Sequence, residues 1–129
     1  MTLFRSMLRA KIHGATVTHA DIHYEGSIAV PLPLIEATDL LPNEEVHVWN
    51  VTRGTRFQTY VIAGAPGRDD ISVNGAAAHL VELEDTIIIA AFCSIPEEIA
   101  RQHQPKVIFV DEYNRIKEIR AEQFPPVSR

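Results

Sequence analysis

A chain of 129 residues is long enough for one domain with a modest hydrophobic core. Hydrophobic residues make up 46% of it and charged residues 22%, which is typical of a globular protein and excludes a disordered or fibrous one. The formal net charge is −5 and acidic and basic residues are mixed along the sequence, so no basic stripe indicates nucleic-acid binding.

The cysteine content and the apolar runs indicate where the protein works. Its only cysteine, Cys93, excludes an internal disulfide framework, fits a reducing cytoplasm and stands in an apolar run, where we expect a buried, inert thiol. Arg5 and Arg9 near the start argue against a secretory signal, and the longest apolar run, Ile87 to Cys93, is too short to cross a bilayer. We expect a cytoplasmic protein without nucleic-acid or membrane partners, loosely held only from Gln123 to Arg129.

Two extended segments, 3–13 and 15–24, open the chain. Period-two alternation in the second places His19, Asp21 and His23 on one face. On a helix, the two histidines would instead be an i, i+4 pair suited to a metal, and either arrangement could bind zinc in principle. No second cluster with ligand spacing exists elsewhere in the sequence, so we predict polar hydrogen bonding and no metal.

The second segment ends in Tyr24-Glu25-Gly26-Ser27, where self-cleavage chemistry is possible. The Ser27 oxygen can attack the Gly26 carbonyl because the two close a five-membered ring. Since glycine has no Cβ, we expect this bond in a strained or left-handed turn that leaves the carbonyl open. The amide would become an ester, elimination would break the chain, and the serine would become a pyruvoyl group. An ordinary turn after a strand is the alternative, and the dipeptide alone favours it.

The central part of the chain predicts a strand, a short helix and a hairpin. A further strand is predicted from Ile28 to Pro31. Pro33 suits position N1 of a helix, and Pro42-Asn43 is predicted to end that helix. Two β-rich runs, Glu45 to Val51 and Arg56 to Ala63, follow with a glycine-containing loop between them.

One face of the second β-rich run carries Arg56, Gln58 and Tyr60. A guanidinium and a phenol on one face can hold a carboxylate and supply a proton to a neighbouring carbon. The alternative, which the strand alone favours, is a solvated arginine beside a half-buried tyrosine.

The Asn74-Gly75 turn precedes three alanines, Ala76-Ala77-Ala78, which predict the start of a short helix. Small side chains leave its free N–H groups accessible to an anion or a developing oxyanion. A tight turn that needs small residues for packing explains the same pattern equally well. The other predicted elements are strands at Ile71–Val73, Thr86–Cys93, Lys106–Asp111 and Arg115–Arg120, and a helical turn at Ile95–Ile99.

So many short strands with little helix predict a mainly β fold, a small closed barrel with short helices that forms one domain over 1–129. A resemblance to a known family is carried by the segments Met7-Leu8, Lys11-Ile12-His13, Val17 to Ser27, Trp49 to Thr52, Arg56 with Thr59-Tyr60, Ser72 to Ala78, Val110 to Glu112 and Asn114 to Ile116. Through them the chain resembles the pyruvoyl-dependent aspartate 1-decarboxylases, which make β-alanine for pantothenate. The resemblance covers nearly the whole chain in order, and HYEGS with NGAAA at this separation is its most specific part.

The resemblance implies a double-psi β-barrel that assembles as a homotetramer, with active sites between neighbouring subunits. It also implies that the protein cuts its own Gly26–Ser27 bond, leaving a β chain of residues 1–26 and an α chain of residues 27–129. The α chain would begin with a covalent pyruvoyl group made from Ser27, which forms a Schiff base with a small acidic amino acid and serves as the cofactor.

The residue roles also follow from the resemblance. Thr59 would polarise the Gly26 carbonyl during cleavage and help orient the substrate, and Tyr60 would donate the proton. Lys11 and Arg56 would bind substrate carboxylates. The residues expected to contact the substrate through their backbone are Gly75, Ala76 and Ala77, and the supporting residues are His13, Tyr24, Glu25, Trp49 and Asn74.

Three positions depart from the family pattern. Gly14 stands where arginine is more common, Glu84 stands where a glycine turn is expected, and the turn Gly67 to Asp70 replaces a smaller one. Each could alter the pocket rim, the speed of self-cleavage or the need for a maturation partner. The leading prediction is L-aspartate α-decarboxylation. The alternatives are the same chemistry on another acidic amino acid, such as a β-substituted aspartate, and an uncleaved barrel without catalytic activity.

Overall fold

The computed structural model describes residues 1–123, so the segment from Gln123 to Arg129 lies, apart from its first residue, outside the described residues. Strands dominate and the helices are short, which confirms the mainly β prediction. The strands are β1 (Phe4–Thr16), β2 (His19–Asp21), β3 (Ser27–Val30), β4 (Glu45–Asn50), β5 (Arg56–Ala63), β6 (Ser72–Asn74), β7 (Thr86–Pro96), β8 (Lys106–Val110) and β9 (Ile116–Ile119). The helices are α1 (Leu32–Thr38) and α2 (Glu97–Ala100), with a 3₁₀ helix at Gly75–Leu80.

These strands form one mixed sheet in the order β2-β6-β3-β5-β4-β7-β1-β8-β9. The pairs β1–β8, β2–β6 and β3–β5 are parallel. Buried side chains from strands across this order and from α1 belong to one core cluster, so the sheet curves around that core into a barrel-like fold. The largest fully buried ones include Ile12, Ile28, Leu34, Val48, Val61, Ile71, Ile89 and Ile108. Among residues 1–123, no helix is long and apolar enough to span a membrane.

The long antiparallel pair β1–β7 contains an irregularity between His13 and Ala15. Gly14 lies at this point with φ of +87°, a left-handed conformation that glycine adopts without steric cost. The strand geometry therefore accounts for the glycine that departs from the family pattern.

Three local predictions were wrong. Helix α1 ends at Thr38, before Pro42-Asn43, because Asp39 takes a left-handed conformation with φ of +57°. Pro33 occupies its second position, after Leu32. Cys93 is half-buried, because it lies near the end of β7, beyond the part of that strand that the core covers.

The extended segment predicted for residues 15–24 is interrupted. After β2 ends at Asp21, the His23 N–H donates to Asp21 Oδ1 at 2.9 Å and the chain turns. His19 and His23 therefore do not share a strand face. His19 Nδ1 lies 2.8 Å from the Thr18 hydroxyl, and no group of three potential metal ligands exists within residues 1–123.

A buried carboxylate joins the loop after β4 to the turn before β7. Asp85 is 2% exposed, and its Oδ2 accepts hydrogen bonds from Asn50 Nδ2 at 2.8 Å, Arg53 Nε at 2.7 Å and the Glu82 N–H at 2.8 Å. Glu84, in the same turn, has φ of +75°, a conformation that favours the glycine expected there.

This carboxylate should make the fold sensitive to acid. Burial alone would raise the pKa of Asp85, but the hydrogen bonds from Asn50, the Glu82 N–H and Arg53 lower it below its ordinary value. A lowered pKa means that its stabilisation is complete above about pH 4 and is lost as the pH falls through the folded-state pKa.

We expect Asp85→Asn to lower the free energy of unfolding at pH 7 by about 1.5–3 kcal/mol, because charge-assisted hydrogen bonds are lost. Urea unfolding at pH 7 and pH 3.5 measures the effect, which should shrink at the lower pH. Glu82→Gln is the control, since the Glu82 side chain is 71% exposed. Equal destabilisation by the two substitutions would refute this role for Asp85.

Candidate active site

Ser27 is the first residue of β3 and is buried, with 2% of its surface exposed. The next residue, Ile28, is fully buried in the core and pairs with Val73 of β6, while Ser27 pairs with Asn74. Because side chains alternate along a strand, Ser27 and Asn74 lie together on the face of the sheet opposite the core.

The backbone at the candidate cleavage site is not a left-handed turn. Ser27 has φ of +157°, close to the extended conformation of the strand that it begins. Gly26 is exposed, does not have positive φ, and would have no heavy atom within 4 Å of an added Cβ. The expectation of a left-handed turn at the glycine was therefore wrong.

A short hydrogen-bond chain reaches the serine oxygen. Asn74 Nδ2 donates to Ser27 Oγ at 3.2 Å, and the Ser72 hydroxyl donates to Asn74 Oδ1 at 2.9 Å. Asn74 is 6% exposed, so its amide depends on these partners rather than on water. An N–H group directed at Oγ stabilises negative charge that develops on this oxygen.

Gly75 lies against the backbone of the candidate cleavage site. An added Cβ would stand 2.8 Å from Gly26 Cα and 3.0 Å from Gly26 N, and the φ of Gly75 is +74°. Both facts require glycine here. The 3₁₀ helix that starts at Gly75 replaces the predicted helix, with Ala76 exposed and Ala77 half-buried at its start.

Strand β5 confirms the predicted alternation, with Arg56, Gln58 and Tyr60 exposed. Tyr60 and Ser27 each immediately precede the first residue of the parallel pair Ile28–Val61. The two therefore lie at the same level on neighbouring strands, Ser27 at the start of β3 and Tyr60 within β5. The phenol is accessible, since 39% of Tyr60 is exposed.

The other residues of β5 lie apart from this group. Arg56 is four residues before Tyr60, about 13 Å away along a strand, and its guanidinium stacks 4.9 Å from the centre of the Trp49 ring. Thr59 is half-buried on the opposite face of the strand from Tyr60. Within residues 1–123 no side-chain hydrogen bond joins Thr59 to Gly26.

Lys11 and His13 lie on β1, which β5, β4 and β7 separate from β3 in the sheet order. Lys11 Nζ pairs with Glu122 Oε2 at 2.9 Å. His13 Nδ1 is buried and has no hydrogen-bond partner among residues 1–123. Burial, followed by the charge of Lys11, lowers the pKa of His13, so its imidazole is held neutral near pH 7.

A single chain therefore brings together only some of the predicted site residues. Gly26, Ser27, Asn74, Gly75 and Tyr60 meet where β3, β5 and β6 lie side by side. A cleft of about 880 Å³ adjoins this point and is lined by Tyr24, Ser72 and Asn74 among others. Glu25 is exposed in the loop before Gly26. The residues that stand elsewhere are Lys11, His13, Trp49 and Arg56.

Two residues that contact predicted site residues were not predicted from the sequence. Ser72 could have been found, because it lies two positions before Asn74 and so shares its strand face. Glu122 gave no signal, since its contact with Lys11 joins the two ends of the described chain.

The family model for aspartate decarboxylase matches residues 3–117. The chain belongs to the aspartate decarboxylase family. It is 56% identical over 120 residues to a protein named aspartate 1-decarboxylase from Legionella pneumophila (strain Lens), covering 93% of this chain and 90% of that protein. Proteins of the same name from Leptothrix cholodnii and Rhodopirellula baltica are 50% and 51% identical, over 96% and 94% of this chain and 95% and 78% of their own. The resemblance noted in the sequence is confirmed.

One departure from the family pattern is stabilised locally. In the turn from Gly67 to Asp70, Arg68 pairs with Asp70, and Asp69 Oδ2 lies 3.0 Å from Arg115 Nε. His19, which lines the cleft, lies 3.9 Å from Asp70. The turn therefore stands beside the rim of the cleft, where it can influence access.

We expect Gly75→Ala to slow self-cleavage at least tenfold, because its Cβ would displace the Gly26 backbone. The fraction of cleaved chain is measured over time by intact-mass spectrometry.

Gly54→Ala is a matched control for this substitution. Gly54 has a similar φ of +78° but has no heavy atom within 4 Å of an added Cβ. Both variants carry the cost of a left-handed alanine, about 1 kcal/mol, but only one crowds Gly26. Cleavage slowed equally in both would show that backbone conformation, rather than contact with Gly26, matters.

Proposed function

We propose that this protein converts L-aspartate to β-alanine and CO₂ for pantothenate and coenzyme A synthesis, after it cuts its own chain between Gly26 and Ser27. The observation that carries this proposal is the buried Ser27 hydroxyl, which follows an exposed glycine and accepts a hydrogen bond from Asn74. The names of the relatives support the choice of substrate.

Cleavage needs only groups of this chain and one water molecule. Ser27 Oγ bonds to the Gly26 carbonyl carbon, the C–N bond breaks, and an ester with a free amine results. Loss of the Ser27 α-proton then expels the Gly26 carboxylate and ends the first fragment, 1–26. Water finally replaces the remaining nitrogen, which leaves as ammonia, so fragment 27–129 begins with a ketone.

The surroundings of Ser27 fit a pyruvoyl group at this position. Asn74 offers an N–H donor, and the missing side chain of Gly75 allows the Gly26 backbone to lie against it. When formed, this group accepts the electron pair released as the substrate α-carboxylate departs as CO₂. Tyr60, accessible at the same level of the sheet, is the residue we assign to return a proton to that carbon.

Further residues are assigned from the family pattern. Thr59, on the strand next to β3, would polarise the carbonyl of Gly26, which is exposed. Gly75, Ala76 and Ala77 would contact the substrate through their backbone. Lys11 and Arg56 would bind its carboxylates and attract a dianion to a chain with net charge −5.

Assembly into a homotetramer, with sites between neighbouring subunits, would explain why Lys11 and Arg56 stand apart from Ser27 within one chain. A second subunit could present either side chain to the Ser27 of the first. We place the enzyme in the cytoplasm, in keeping with its single cysteine.

Two substitutions test the proposal together. Ser27→Ala should abolish both cleavage and β-alanine formation, because the nucleophile is lost. Tyr60→Phe should preserve cleavage but lower kcat about 10²–10⁴-fold, the usual contribution of a positioned acid. Chromatography of β-alanine and mass analysis of the fragments provide the two readouts.

Decarboxylation that survives in Ser27→Ala would refute the proposal. Comparing kcat/KM for aspartate, glutamate and a β-substituted aspartate decides which acidic amino acid is preferred. An intact wild-type chain inactive on all three would support the barrel without catalytic activity.

The ion pair between Lys11 and Glu122 gives a separate prediction about substrate binding. Glu122 places a carboxylate where Lys11 would hold that of the substrate, and the two compete. Glu122 is exposed while the Lys11 side chain is only 11% exposed. A surface ion pair is worth about 0.2–1 kcal/mol, so Glu122→Gln should lower KM for aspartate up to about fivefold and leave kcat within about twofold.

Glu118→Gln is the matched control, because Glu118 pairs with Arg120 instead of Lys11. Initial-rate kinetics measure all three proteins at one ionic strength. A KM that is unchanged or raised by Glu122→Gln, or lowered equally by both substitutions, would contradict competition at Lys11.

A further inference from the structure

Ser72 lies on the same outer face of β6 as Asn74, between Ile71 and Val73 of the core. It pairs with His19 of β2 and Ala29 of β3, so its backbone is held on both sides. Its half-buried side chain lines the cleft and directs its hydroxyl at Asn74 Oδ1, 2.9 Å away.

The amide of Asn74 has two ends with different chemistry. Its NH₂ group can only donate hydrogen bonds, and its oxygen can only accept them. Ser72 occupies the oxygen, and this leaves Nδ2 directed at Ser27 Oγ. If the amide were reversed, Oδ1 would accept the proton of the Ser27 hydroxyl without being basic enough to remove it.

We propose that Ser72 is a positioning residue for self-cleavage, because its hydroxyl holds the Asn74 amide with the N–H toward Ser27 Oγ. In this orientation, the N–H stabilises charge on the attacking oxygen and leaves the Ser27 proton free to depart. Without the Ser72 hydroxyl, the buried Oδ1 loses its partner and the amide is free to rotate or reverse.

This inference rests on the proposed self-cleavage, and a pair of side chains of similar shape tests it. Threonine keeps a hydroxyl at residue 72 and valine replaces it with a methyl group. Both are β-branched and suit a strand, and the side chain at residue 72 borders the cleft. The uncleaved fraction of full-length chain is followed by intact mass after cell-free synthesis.

We expect Ser72→Thr to cleave within about twofold of the wild-type rate and Ser72→Val to cleave about tenfold more slowly. Ser72→Ala, which adds no bulk, should also cleave about tenfold more slowly. Ser94→Val is the control, since Ser94 is an exposed strand serine on β7. Circular dichroism shows that each variant is folded, and Ser72→Ala replaces Ser72→Val if the latter is not.

Two results would overturn the role of Ser72 while leaving self-cleavage intact. The first is a wild-type rate in both Ser72→Val and Ser72→Ala. The second is a Ser72→Thr variant as slow as Ser72→Val, because bulk rather than the hydroxyl would then be responsible. A wild-type chain that never cleaves would instead refute the proposed function itself.

Discussion

The close approach of two glycine backbones, Gly26 and Gly75, is the constraint on which the candidate site depends. No side chain fits between them, and Gly75 needs a left-handed conformation in addition. This contact sets the start of β3 against the end of β6. As a result Asn74, the residue before Gly75, faces the Ser27 hydroxyl.

The two faces of these strands have different roles: the inner face packs in the core, and the outer face carries groups of the candidate site. On the inner face, Ile28, Val61 and Val73 are fully buried and belong to one core cluster. On the outer face, Ser27, Asn74 and Tyr60 lie near one another on the adjacent strands β3, β6 and β5. Substitutions on the outer face can therefore change cleavage or turnover without opening a cavity in the core.

Local patterns in the sequence predicted the strands well, because β-type alternation reports directly which face is buried. The burial of β5 follows that alternation from Arg56 to Val61. They did not predict where α1 ends, since Asp39 adopts a left-handed conformation that glycine or asparagine usually takes. The local patterns also failed to predict that β2 ends at Asp21, where the Asp21 side chain accepts a hydrogen bond from the His23 N–H.

The family resemblance supplied the site residues, but not how one chain arranges them. Asn74 of β6 donates a hydrogen bond to the Ser27 hydroxyl, and the pairing of Lys11 with Glu122 likewise joins distant parts of the sequence. Neither contact can be predicted from the spacing of residues in the sequence. Short-range patterns therefore define the elements, while contacts between distant segments define how the nucleophile is presented.

The mass of the mature polypeptide tests the central claim most directly, that this backbone arrangement exists for Ser27 to attack Gly26. The account predicts two species, residues 1–26 and residues 27–129, the second with the mass of a terminal ketone in place of serine. A mature protein of 129 residues with Ser27 unmodified, yet active on aspartate, would contradict it.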